Sequence, residues 1–477
     1  MFPVRHIESG AVHRTDRRGK APSGAFARCL TAVLTACLIW ASAAADAESA
    51  EGESPEVDVE ALVREMERMR ERLDEMDALR ERVRVLEQAL AEERRENDAV
   101  RPEPAPEKRD VAAAADAAKA EVAATDADED RNDGVEFNGA LRFTAFWSDS
   151  DEAVQGTRGD SGLDIFRVGA SGSIDDLEVS AEYRFYPFMD VIHHGWIGYE
   201  FDEGDQVQVG ITRVPFGLLP YAAHSFWFGV PYYLGFSDDY DLGVKYQRRE
   251  GPLDLQLAFF KNAEVASETD LGRYSFDVVS VGESRNEETN QFNLRAAHRF
   301  GLNTGCSHEV GVSGQWGELY NFDTQRRGEH WAAAGHLDTR CGRWNLQLEA
   351  ARYDYDPAQP SVIGRDTVRV GGFETSYDMA SKGTFAVANI AYNVPIDWPA
   401  IDQLICYNDY SVLFKDRSDF RKSQLNTTGC LVGKGPIFLY LDLIQANNMV
   451  FFGDGSLAGG GETGWQRRFN VNVGYYW

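Results

Sequence analysis

Apolar side chains recur along this chain with two different periods, and the change between them falls near residue 135. Leu62, Met66, Met69, Leu73 and Met76 follow the alternating four- and three-residue spacing of a coiled-coil seam; Leu79, Val83, Leu86 and Leu90 resume it after a three-residue slip. No Gly or Pro interrupts residues 58–96. That stretch is therefore expected to be one self-associating α-helix, roughly 55 Å long at 1.5 Å per residue. Beyond Val135 the period falls to two. Leu141, Phe143, Ala145 and Trp147 alternate with Ala140, Arg142, Thr144 and Phe146, and Leu177, Val179, Ala181, Tyr183 and Phe185 alternate with Glu178, Ser180, Glu182, Arg184 and Tyr186.

The same alternation continues through 206–212, 241–247, 253–260, 291–300, 309–317, 343–353 and 366–370. Short turn signals separate some segments, as at Gly204-Asp205, Gly251-Pro252 and Lys434-Gly435, whereas long polar stretches at 148–162, 262–288 and 447–465 separate others. Short turns at one end and long loops at the other are the pattern of an outer-membrane barrel. The last segment agrees. Phe469, Val471, Val473, Tyr475 and Trp477 form an apolar face ending in an aromatic residue, like the signal by which such barrels are recognised for insertion, while Arg468, Asn470, Asn472, Gly474 and Tyr476 form the other. The fold class expected is all-β: an antiparallel transmembrane β-barrel preceded by an α-helical coiled coil. About seventeen segments can be marked, and an odd number cannot return both barrel ends to the periplasm. One segment between 340 and 415 must lie outside the wall, so sixteen strands are expected, with eighteen as the alternative.

Composition adds location and exclusions. Arg5, Arg14, Arg17, Arg18 and Lys20 precede an apolar run from Ala25 to Trp40 and small residues at 41–47, so residues 1–45 read as a secretory signal peptide. The run falls short of the roughly 20 apolar residues that a membrane anchor needs. Leu34-Thr35-Ala36-Cys37 offers a lipidation site at Cys37 as a lesser alternative. A short linker at 46–57, a periplasmic coiled coil at 58–96, a Pro/Ala/Asp-rich linker at 97–134 and a barrel at 135–477 complete the organisation. With 77 acidic and 48 basic side chains the net charge is -29, which argues against a nucleic-acid partner. Cys306, Cys341, Cys406 and Cys430 are an even set in an oxidising compartment, at spacings unlike a zinc site. Of the three connectivities, Cys306 with Cys341 and Cys406 with Cys430 is favoured, the first pair beside tight turns and the second across a hairpin.

The stretch Val207-Gln-Val-Gly-Ile-Thr-Arg-Val-Pro-Phe-Gly217 resembles the phosphate-selective porins, in which a strand ends in Gly-Gln-x-Lys-x-Pro-Phe-Gly. Asp241-Leu-Gly-Val-Lys245 and Leu257-Ala-Phe-Phe-Lys-Asn262 continue the similarity. Ile211 stands where the family has Gln, and Arg213 replaces its Lys, keeping the charge but changing its geometry. The resemblance implies a homotrimeric barrel admitting anions or small polar solutes, dicarboxylates as well as phosphate.

If the apolar face meets lipid, the alternate residues face the bore. By that parity Arg142, Arg167, Arg184, Lys245, Arg295, Arg299, Arg369 and Arg468 point inward, and Arg213 joins them as a pore-lining candidate through the family motif. Inward carboxylates are fewer: Glu178, Glu182, Asp241, Glu349 and Asp442. A basic bore favours anions, yet the barrel region is acidic overall, so weak selectivity and cation preference stay open. Each arginine could equally pair with a lumenal carboxylate. Between Pro215 and Asp239 the aromatic density is too high for a solvated loop; Tyr221, His224, Trp227 and Tyr232 are candidates for an inward constriction, or for a clamp on the wall. His193 and His194 read as packing residues. No enzymatic motif, cofactor site or metal site is expected. The partners expected are outer-membrane lipid and lipopolysaccharide, small solutes and two further copies of the chain. A structural tether, with a mostly closed barrel and a coiled coil bound to the cell wall, is the rival reading.

Overall fold

A computed structural model describes residues 134–477 except 203, 302–304 and 462–463. The signal peptide, Cys37, the coiled coil and the linkers expected before Gly134 lie outside the described residues. The strands run in chain order β1 (Gly134–Ser148), β2 (Asp160–Ile174), β3 (Leu177–Phe185), β4 (Asp190–Asp202), β5 (Asp205–Arg213), β6 (Tyr240–Glu250), β7 (Leu253–Ala263), β8 (Asp277–Val278), β9 (Asn286–Phe300), β10 (Cys306–Asn321), β11 (Arg326–Cys341), β12 (Trp344–Asp356), β13 (Thr367–Gly372), β14 (Thr375–Ala380), β15 (Lys382–Asn393), β16 (Gln403–Lys415), β17 (Ser423–Lys434), β18 (Ile437–Asn447) and β19 (Trp465–Tyr476). Two short helices, α1 (Glu152–Thr157) and α2 (Val230–Tyr233), lie in connections.

Sixteen of these strands close an antiparallel barrel in which each pairs with its neighbours in sequence order, and β1 completes the ring against β19. Gly139 and Trp477 exchange backbone hydrogen bonds of 3.1 and 3.2 Å at the seam. The described residues thus form a sixteen-stranded transmembrane barrel. At one end the hairpins turn tightly: Asp175, Gly251, Gly342 and Gly435 all adopt positive φ, the conformation a two-residue reversal demands. At the other end the connections are mostly long, including 149–159, 214–239, 264–285, 357–381 and 448–464.

Period-two sequence becomes a two-faced wall. On β19 Phe469 stands outward and half exposed while Arg468, Asn470 and Asn472 are buried inside. Trp316, Leu348, Leu441 and Leu443 continue the outer apolar skin, as a lipid-facing surface requires. Replacing Leu441 by Arg is expected to cost about 2–4 kcal/mol near the membrane midplane, measured by reversible urea unfolding in lipid vesicles. An unchanged stability would place that face of β18 away from lipid.

Both expected cysteine pairs are disulfides, Cys306–Cys341 and Cys406–Cys430. Each joins residues directly opposite on adjacent strands, β10 with β11 and β16 with β17.

The surplus segment is 366–370. It alternates like a wall strand, but as β13 it belongs to a separate three-stranded sheet with β14 and β8. Val368 and Val370 are buried, and Phe373 packs edge-on against Tyr186 at 5.4 Å. A small sheet packed on one side has the same period as a membrane strand, so alternation cannot separate them. Arg369 is therefore not on the barrel wall. It forms a two-pronged ion pair with Asp378 of β14, at 2.9 and 3.0 Å.

Candidate permeation site

The bore is crossed by the segment 214–239, which leaves β5 and returns to β6. Its neck is closed by Val214 N–H donating to Asp239 C=O at 2.8 Å. Gly217 begins the crossing at φ +63, where a Cβ would collide with the Glu349 carboxylate; glycine is needed here for both the conformation and the approach. Gly217 N–H donates to Ser313 Oγ of β10 at 2.9 Å, Leu218 N–H to Glu349 Oε2 of β12 at 2.9 Å, and Arg295 Nε of β9 donates to Gly217 C=O at 2.8 Å. The chain then reaches β15 and β16. Asn389 Nδ2 donates to Ala222 C=O at 2.9 Å. Asp409 accepts from the backbone N–H groups of His224 and Ser225, both at 2.7 Å, and pairs with His224 Nδ1 at 2.8 Å. Nε2 of the same imidazole meets Asn345 Oδ1 at 2.7 Å, and Val230 N–H donates to Ser411 Oγ at 2.9 Å.

A loop made of backbone polar groups can enter a barrel only if the wall answers them. Here it does so with side chains of β9, β10, β12, β15 and β16. Burial opposes a charge on His224, but the Asp409 carboxylate and the hydrogen bonds at both ring nitrogens outweigh it and raise the imidazole above its ordinary pKa.

Aromatic rings pack along the crossing. Phe228 stacks on Tyr232 at 4.4 Å and meets Tyr221 at 4.6 Å, and Phe236 packs on Tyr353 and Phe385 at 5.4 and 5.6 Å. Tyr377 of the small sheet donates to Tyr233 C=O at 2.7 Å, so β13 and β14 sit on the inward segment. Tyr221, His224, Trp227 and Tyr232 all belong to this crossing, and all are largely or wholly withdrawn from water.

Arg142, Arg167, Arg184 and Arg468 come from four neighbouring strands, β1, β2, β3 and β19. Arg142 Nε pairs with Asp164 at 2.7 Å; Arg167 and Arg184 share Glu182 at 2.7 and 2.6 Å. Their planes are covered by aromatic rings: Arg142 over Phe226 at 5.2 Å, Arg468 over Trp227 at 4.8 Å and Arg184 over Tyr274 at 4.6 Å. Arg142 is 0% exposed, Arg184 2% and Arg468 3%. Arg295 pairs with Asp254 and Glu309 at 3.3 and 2.6 Å, and Arg299, half exposed near the tight-turn end, reaches Glu309 at 2.7 Å. Lys245 Nζ donates to the Arg213 carbonyl at 3.1 Å. Arg213 itself binds the Tyr240 hydroxyl and Asp238, at the loop end of β5. His193 and His194 lie beside Tyr240 and Glu182 as packed groups.

Asp409, Asn345, Asn389 and Ser411 are anchors that the sequence did not single out. Their signal is weak but present: Asp409 is the one carboxylate of β16, set between Tyr407 and Ser411 on its inner face.

No family model and no curated protein matches the chain. Solved structures that share its outline include the outer membrane channel DcaP of Acinetobacter baumannii, at 12% identity over 72% of this chain and 97% of that one with a TM-score of 0.49. The anion-selective porin from Comamonas acidovorans has 12% identity, 72% and 99% coverage and a TM-score of 0.46. Outer-membrane expressed OmpT of Vibrio cholerae has 12%, 72% and 97%, with a TM-score of 0.46. At these values the likeness bears on neither family nor solute.

Proposed function

We propose that the chain is an outer-membrane porin for small hydrophilic solutes, held closed in this conformation by the segment 214–239, with a moderate preference for anions such as phosphate or dicarboxylates. The observation that carries this reading is the inner wall of β19, β1, β2 and β3. A barrel built only to be filled has no use for four arginines side by side, since burying charge is costly even when it is paired. Asp164 and Glu182 hold three of the guanidinium groups in place, and displacement of Phe226 and Trp227 would uncover Arg142 and Arg468 to an entering anion. A narrow bore of low dielectric focuses the potential of such groups.

The homotrimer, the periplasmic coiled-coil arm and the contact with lipopolysaccharide belong to the same proposal. Support for them comes from the apolar outer skin and the seam at 62–90. Recording from the purified protein in planar bilayers tests the pore. The double variant Arg142→Gln with Arg468→Gln is expected to move the reversal potential in a salt gradient toward cations; an unmoved potential removes this wall from selectivity.

A second reading, the closed structural tether, is favoured by one observation, the hydrogen-bonded anchoring of the inward segment to five strands of the wall. It predicts a folded protein with no conductance steps at any voltage.

A further inference from the structure

Where the inward segment returns to the wall, acidic side chains from separate parts of the chain converge. Asp239 ends the crossing, Asp241 begins β6 and Asp277 forms β8; one carboxylate oxygen from each lies within 4.8 Å of the others, and all three residues are buried. Glu264, just past β7, lies against Asp277 and is buried with them. Glu288 of β9 is close enough to interact with Asp277. The cation seen among them is Arg273, whose Nη1 stands 3.4 Å from Asp277 Oδ2.

Two oxygens here point to an absent partner. Glu264 Oε1 accepts from Tyr274 and Ser275 N–H at 2.8 Å, but Oε2 is buried without a donor. Asp239 Oδ1 is likewise buried without a donor. An unsatisfied carboxylate oxygen costs far more than a neutral one, and neighbours of the same sign multiply the cost. Burial first, and the surrounding carboxylates second, raise Asp239 above the ordinary carboxyl range; burial and Asp277 do the same to Glu264. A bound divalent cation removes that penalty without protonation.

We propose that Asp239, Asp241 and Asp277 bind one calcium ion, which ties the end of the inward segment to the small sheet and to the barrel wall, while the Glu264 carboxylate beside Asp277 adds to the negative field around it. The donors are all oxygens, which selects a hard cation over zinc or copper. They come from two separate stretches of chain, 239–241 and 277, with no imposed octahedron, which suits calcium, with six to eight flexible ligands, better than magnesium. This goes beyond the pore reading and does not depend on it. Its spacing along the chain, over nearly forty positions, matches no compact calcium-loop motif, so the sequence carries no signature of it.

Terbium, a calcium mimic that emits when an adjacent aromatic ring is excited, gives a direct test. Tyr274 is bonded to Glu264 through its backbone and would serve as the antenna. Full-length protein in detergent, freed of lipopolysaccharide and stripped with EDTA, is titrated with terbium and then with calcium or magnesium. The expected result is saturable tyrosine-excited emission at one ion per protomer, displaced by calcium at lower concentration than magnesium. Asp239→Asn with Asp277→Asn should weaken binding by about tenfold or more. Absence of sensitised emission, or equal binding by the double variant, overturns the site. Should that variant not fold, Asp241→Asn and calorimetric titration of the wild type with calcium chloride decide: no stoichiometric binding, or no weakening in Asp241→Asn, overturns it equally.

Discussion

Replacing Asp409 by alanine is expected to open the bore, raising the time that single molecules in a planar bilayer spend conducting. One carboxylate on β16 receives the backbone N–H groups of His224 and Ser225 and the His224 imidazole. Without it, two buried N–H donors and a histidine lose their acceptor, at about 1–3 kcal/mol for each unsatisfied group. A total near 4 kcal/mol corresponds to roughly a thousandfold shift between the docked and released segment. The change falls on the docked state alone, because a released segment satisfies the same donors with water. Asp409→Asn retains one acceptor oxygen and should lie between alanine and wild type. Wild-type closure in a correctly folded alanine variant would show that ring packing, and not this carboxylate, holds the segment.

The second large effect is expected at Arg295, and it should appear as stability. Its side chain is 1% exposed and joins three elements: Asp254 of β7, Glu309 of β10 and the Gly217 carbonyl of the inward segment. Arg295→Ala removes the buried cation between Asp254 and Glu309 and leaves them only the more exposed Arg249 and Arg299, so the cost is expected at the lower end of roughly 3–5 kcal/mol. Urea unfolding in lipid vesicles should report that loss. Arg295→Lys keeps the charge but not the fork that reaches two carboxylates and a carbonyl at once, so it should recover only part of it. A loss below about 1 kcal/mol, the range of a surface pair, would mean that water reaches this site.

The two variants separate the tasks of the inward segment's anchors. Asp409 lies far along the crossing and holds the part that blocks the bore, whereas Arg295 lies at its root, where wall and segment are one packed unit.

The arrangement of the wall was legible in the sequence because a hairpin strand needs only local information. Phe469, Val471 and Val473 alternate with Asn470 and Asn472, so the two faces follow from a two-residue repeat wherever one side is apolar. The same locality made the disulfides readable: Cys406 and Cys430 face one another because the short connection 416–422 fixes the register of β16 against β17. Parity also placed Arg142, Arg167, Arg184, Arg295 and Lys245 inside.

Alternation failed at 366–370, where β13 obeys the same repeat in a sheet that is not wall, and Arg369 was carried with it. Nor could it say what the inward arginines meet. Arg142 finds Asp164 on the next strand, but also the ring of Phe226, which arrives from a loop more than eighty positions away.

By itself, then, the order of residues determined a closed, two-faced cylinder and its cross-linked hairpins, since both arise between strands that are adjacent in the chain. Tertiary structure alone decided that the bore is crossed, that His224 meets Asp409 and that Asp239 meets Asp277. Those contacts form only once sixteen strands have closed a ring and brought distant inner faces within reach of one loop, a condition no local pattern encodes.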